Sequence, residues 1–141
     1  MQFLRPALFI MAAATLAACG GGITAADQTL VISGNSSGTF TDSVYGTGVA
    51  TLEIHQNGQT LGGAYTAAFP SLSVSGTLSG SIAGTVVNLT FTPTPSGSSC
   101  TFVLSGTASN FGSTVQGAYK TPGCTTGENG SLTTNRPVSP T

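Results

Sequence analysis

Apolar and polar residues alternate along most of this chain. Leu72, Val74, Leu78 and Ile82 share one parity, and Ser73, Ser75, Thr77, Ser79 and Ser81 share the other. A period of two predicts a strand with one buried face and one wet face. Ala50, Leu52 and Ile54 alternate likewise ahead of Asn57-Gly58, a strong short hairpin signal. The return strand carries Leu61, Gly63, Tyr65, Ala67 and Phe69 on one side, and Val87, Leu89 and Phe91 follow a turn at Ala83-Gly84. Phe102 and Leu104, then Val115 and Tyr119, flank the turn-rich Asn110-Phe111-Gly112-Ser113, and a last short strand surrounds Leu132. Earlier strands are expected near Thr29–Ser33 and over Gly38–Val44, with Phe40 and Val44 pointing inward. No stretch after residue 26 keeps a helical period, and turn residues recur roughly every eight to twelve positions. The expected fold is all-β: a single antiparallel up-and-down meander barrel of about eight strands, with a β-sandwich as the alternative.

The pattern also repeats. Thr60-Leu61-Gly62-Gly63-Ala64-Tyr65 resembles Thr114-Val115-Gln116-Gly117-Ala118-Tyr119, 54 residues on, and Gly76-Thr77-Leu78-Ser79 matches Gly130-Ser131-Leu132-Thr133 at the same offset. Two such blocks read as a duplicated meander, or as the likeness that strands rich in Gly, Ser and Thr share by composition. Closing a meander removes its exposed edges, which matters in a chain with few charges to guard them.

The N-terminus breaks the alternation. Arg5 is the only charge before an apolar run from Ala7 to Ala18, too short for a permanent bilayer span. A charge, a short apolar run and small residues at its end read as a signal peptide over residues 1–18. The run closes on Leu16-Ala17-Ala18-Cys19-Gly20, which resembles the bacterial lipobox. That resemblance implies cleavage before Cys19, a diacylglyceryl group on its sulfur, and acylation of the new amine by a chain such as palmitate. Gly20, rather than an aspartate, resembles the enterobacterial outer-membrane address. The expected partner is then a membrane, through the lipid, and the expected location is the bacterial cell envelope, facing periplasm or cell surface. Two or three acyl chains make attachment stable where one is marginal. Residues 19–27 read as the lipidated start and tether, 28–135 as the barrel domain, and 136–141 as a disordered tail.

With Cys19 assigned to lipid, Cys100 and Cys124 remain. Folding the chain about Asn110–Ser113 brings Cys100 to within one position of the residue opposite Cys124. An oxidising compartment favours their disulfide. Closing a loop of about 25 residues contributes roughly 3.5 kcal/mol in the chain-entropy model. Two cysteines without histidines nearby make a poor zinc site, and their spacing is not that of a redox CxxC pair.

Repeated Gly-Thr-x-Ser-Gly strands, a hairpin cysteine pair and a lipobox together resemble small bacterial lipoproteins with a calycin-like barrel, the architecture of lipocalins and avidins. The likeness covers roughly residues 37–135. Gly38-Thr39-Phe40 stands where the lipocalin pattern has Gly-x-Trp, and the chain has no tryptophan, which counts against an avidin-type biotin site. The resemblance carries over an architecture and no ligand residue.

Composition narrows the chemistry. Of 141 residues, 40 are Ser or Thr and 20 are Gly, while charged residues make up 5%. Three Lys/Arg and a net charge of -1 do not supply the clustered cations that nucleic acid requires. An integral outer-membrane barrel would need aromatic girdles and an apolar outer face, whereas the clearest strand is Ser/Thr-rich on its second face. Gly34-Asn35-Ser36-Ser37-Gly38 matches the nucleophile-elbow pattern, but Thr39-Phe40-Thr41 continues as strand, so the motif reads as a turn. Glu53 and the single histidine, His55, share a strand face opposite Leu52 and Ile54 and read as an exposed pair, short of the three or four ligands a metal needs.

Three residues remain as candidate ligand contacts. Asp42 shares parity with inward Phe40; it either orients a polar group of a ligand at the barrel mouth or is turned outward by a bulge at the rim. Tyr65 and Tyr119, equivalent in the repeat, either line a pocket or simply suit strands. Inward parity also includes Gly63, Gly76, Gly80, Gly106 and Gly117, which mark bends or leave room inside. A hollow interior would hold a small hydrophobic ligand. A filled one would act through its surface, as a protein-binding module such as an inhibitor of a secreted hydrolase, or as a structural envelope protein. Loops Pro93–Ser99 and Pro122–Gly130 are the surfaces expected to meet a protein partner. No triad, metal cluster or paired carboxylates can be assembled, so the expectation is a non-enzymatic protein with no cofactor.

Overall fold

The computed structural model describes residues 29–94 and 100–137. The expected signal peptide, Cys19, the tether, most of the Pro93–Ser99 loop and residues 138–141 lie outside the described residues. Eight strands, β1 (Gly34–Asp42), β2 (Gly46–Asn57), β3 (Thr60–Ala68), β4 (Ser73–Ala83), β5 (Val86–Pro93), β6 (Phe102–Ser109), β7 (Thr114–Lys120) and β8 (Asn129–Asn135), form one closed antiparallel barrel in sequence order. Closure is made by β1 against β8, with Phe40 opposite Leu132 and Asp42 opposite Gly130. It gives every strand two neighbours, so no edge among them is left open.

Side-chain parity decides what is inside. On β4, Val74, Leu78 and Ile82 are buried while Ser73, Ser75, Thr77, Ser79 and Ser81 are exposed. Leu52, Ile54, Leu89, Phe91, Leu104 and Leu132 meet in the same core. Eight strands enclose a space that side chains can just fill, and here they fill it. The inward glycines mark close approaches rather than room. A Cβ on Gly76 would stand 2.0 Å from the Thr92 carbonyl oxygen, and one on Gly80 2.0 Å from that of Asn88.

The hairpin carrying the cysteines has the expected register, with Val103 opposite Lys120 and Ser109 opposite Thr114, around a 3-10 turn at Asn110–Gly112. Cys100 and Cys124 are joined, with their Cα atoms 5.9 Å apart.

Three local expectations are corrected. Residues 29–33 form no strand. Their backbone instead crosses one end of the barrel, where Leu30 N–H donates to the Gly84 carbonyl and Ile32 N–H to the Gln56 side chain. Gly34–Gly38 is not a turn but the first half of β1. Val44 does not point inward: β1 ends at Asp42, and Val44 is exposed in the turn that follows. At the C-terminal end Arg136 is held, its N–H donating to Ser113 and its guanidinium to the Ser33 carbonyl.

Candidate functional site

One end of the barrel, the mouth, is built by the β1–β2, β3–β4 and β7–β8 connections. Asp42 ends β1 with its side chain inward, 6% exposed. The bulge that would turn it outward is absent, because β1 pairs residue for residue with both neighbours through Asp42. One carboxylate oxygen, Oδ1, accepts from Val44 N–H at 2.7 Å and from Tyr45 N–H at 3.0 Å, which fixes the turn. The other, Oδ2, accepts from the Tyr119 hydroxyl at 2.5 Å. A buried carboxylate needs such partners to offset its lost hydration.

Tyr119 sits on β7 across from Gly130, and Tyr65 on β3 across from Gly76, so both tyrosines lie over a glycine of the next strand. In a ring of eight strands β3 and β7 are four apart, so the repeat-related tyrosines rise from opposite walls. Burial pushes the Tyr65 hydroxyl up to about 12. Burial, then the hydrogen bond to Asp42 and the negative charges of Asp42 and Glu128, hold Tyr119 further above the ordinary tyrosine value. Both stay neutral O–H groups at physiological pH. The Tyr65 hydroxyl is buried and has no hydrogen-bond partner among the described residues.

Glu128, 4% exposed, completes the site and was not legible from the alternation, since it lies in the β7–β8 loop. Thr126 Oγ1 donates to its Oε1 at 2.8 Å, and the Thr121 N–H and hydroxyl both donate to its carbonyl. Asp42 and Glu128 line one cavity, each carboxylate held by its own donors. The walls are apolar: Phe40 packs edge-on to Tyr119 at 5.6 Å, Phe102 also meets Tyr119 at 5.6 Å, and Phe69 lies 6.0 Å from Tyr45. Their cavity measures about 10 Å³, the room of a single water.

No family model, curated protein or solved structure matches this chain.

The remaining sequence candidates do not join the mouth. Ser36, the centre of the elbow-like pattern, is a buried strand residue opposite Leu52. His55 is 74% exposed on the outer face of β2, with Nε2 3.4 Å from Glu53 Oε1, an open surface pair. Among the described residues no group of three or more His, Cys, Asp or Glu comes together. The disulfide ties the chain just before β6 to the β7–β8 loop that carries Glu128.

Proposed function

We propose that this chain is a non-enzymatic lipoprotein of the bacterial envelope, attached through Cys19, whose barrel takes a small hydrophobic molecule at its mouth rather than along its axis. The observation that carries the ligand part is convergence. Asp42, Tyr65 and Tyr119, far apart in sequence, line one apolar-walled cup in which the buried Tyr65 hydroxyl has no partner among the described residues. A guest would gain about 25 cal/mol per Å² of apolar surface removed from water and would offer one polar group to Tyr65. Phe69, Leu72 and Phe102, only half-buried at the rim, are the side chains that would move to admit it. The non-enzymatic reading is supported by Asp42, both of whose oxygens are already engaged. The lipobox supplies the envelope reading.

The test is native mass spectrometry of residues 20–141 exported to an oxidising compartment, followed by solvent extraction. The expected result is a co-purifying apolar molecule that is lost in Phe69→Ala and weakened in Tyr65→Phe. A bare mass with no uptake of hydrophobic dyes would overturn the ligand. A second reading, a protein-binding module, is favoured by the small resting cavity and by the disulfide that stiffens the β7–β8 loop. Capture of a secreted hydrolase, abolished by substitutions in Pro122–Gly130, would support it. Attachment is tested separately: Cys19→Ala should release the chain from the membrane fraction.

A further inference from the structure

Both ends of the barrel expose valines, Val44, Val49 and Val103 on the mouth side, but the opposite end also holds an aromatic ring in water. Phe111 is 95% exposed at the tip of the β6–β7 hairpin. Its φ is 55°, between Asn110 at 51° and Gly112 at 82°. Bulky side chains avoid that backbone region. The hairpin thus holds an aromatic ring in water on a left-handed backbone, in a turn whose hydrogen bonds run through Asn110 and Ser113.

Two more apolar side chains, Val31 and Val86, are exposed at this end, 58% and 51%. They are neighbours of the same turn system. A Cβ on Gly112 would lie 2.1 Å from the Val31 carbonyl oxygen. Val86 starts the strand after Gly84-Thr85, where Gly84 accepts from Leu30 and Thr85 from Ala108. Arg136 lies beside them, donating to the Val31 and Ser33 carbonyls. Asp42 and Glu128 are at the other end.

The chain also enters the barrel here. Thr29 begins the described residues and its hydroxyl accepts from Gly84 N–H. Cys19 is ten positions earlier, a reach of at most about 36 Å. A lipid on Cys19 would attach the barrel from this end, where the chain enters it.

We propose that this rim is a lipid-docking surface: Phe111, Val31 and Val86 enter the headgroup–acyl boundary, with Arg136 facing anionic headgroups. The inference rests on the lipid attachment proposed above. Short apolar insertion next to a cation is a sufficient design for seating a protein already tethered, since the tether removes the need for strong binding. The outer face of β4, lined by Ser and Thr, stays in water.

Because the chain has no tryptophan, single-Trp reporters test this cleanly. Full-length lipidated Phe111→Trp and Val44→Trp, the second at the mouth, are reconstituted in phosphatidylethanolamine/phosphatidylglycerol vesicles. Flotation and intact mass confirm attachment. The expected result is a blue-shifted Phe111→Trp emission, shielded from iodide several-fold more than in the lipid-free protein and quenched by brominated lipid, while Val44→Trp stays wet. Equal iodide access at both positions on floating vesicles would overturn the docking surface while leaving the anchor intact. A chain of unacylated mass that fails to float would overturn the anchor and the docking proposal with it. Shielding of Phe111→Trp already in the lipid-free protein would assign the rim to a second copy of the chain, and would equally overturn it.

Discussion

Asp42 and its three hydrogen-bond donors show how much one side chain can organise. Its partner Tyr119, and Tyr65 across the mouth, carry hydroxyls with raised pKa values, Tyr65 to about 12. An unfolded tyrosine ionises near pH 10. Below that pH both states keep their protons and these groups add no pH dependence. As pH rises past about 10 the unfolded chain releases protons that the folded barrel retains, so stability must fall. Urea unfolding of residues 20–141 should therefore give a flat midpoint from pH 7 to 9 and a declining one above about pH 10, with a shallower decline in Tyr119→Phe. An unchanged midpoint at pH 11 would contradict the burial of these hydroxyls. Phe111 makes the opposite kind of prediction. Replacing it with Gly removes a bulky side chain from left-handed backbone and gives up no buried contact, so Phe111→Gly should raise stability by about 1 kcal/mol. A loss in the same urea titration would mean that the ring packs on something.

At the scale of strands, the glycines separate into those that shape the barrel and those that do not. Gly80→Ala would place a Cβ 2.0 Å from the Asn88 carbonyl oxygen, whereas the nearest atom to a Cβ on Gly62 is 3.9 Å away. Gly80→Ala should cost about 1–3 kcal/mol or more as overpacking, and Gly62→Ala should change stability by less than about 1 kcal/mol. Thermal unfolding of the two variants decides it, and equal midpoints would sink the idea that inward glycines set strand curvature. The strands themselves were largely readable, because period two reports directly on which face is buried: Leu52, Val74, Leu78, Ile82 and Leu89 all lie where their parity puts them. Leu30 and Ile32 alternate equally well with Val31, yet form no strand, since a strand needs a neighbouring backbone and the barrel closes without this segment. The mouth was half readable. Asp42 and the tyrosines follow from parity and repeat, but the Asp42–Tyr119 bond joins residues 77 apart and exists only because β8 closes onto β1. Glu128 sits in a loop with no period to betray it.

For the molecule as a whole, closure is the main device. Only 5% of residues are charged, so an opened barrel would have little to keep unpaired strands apart. Truncation after Gly127, which deletes β8, should add concentration-dependent association to whatever the intact chain shows in size-exclusion chromatography. A truncated monomer would mean that the remaining strands protect their own edges. The strand count has one more consequence. An even number of antiparallel strands returns the chain to the rim where it began, so Thr29 and Pro137 leave the barrel on the same side. An epitope tag fused after Thr141 would then be crowded by whatever that side rests on, while the same tag spliced into the Ser43–Tyr45 turn would be carried to the far pole, open to an antibody.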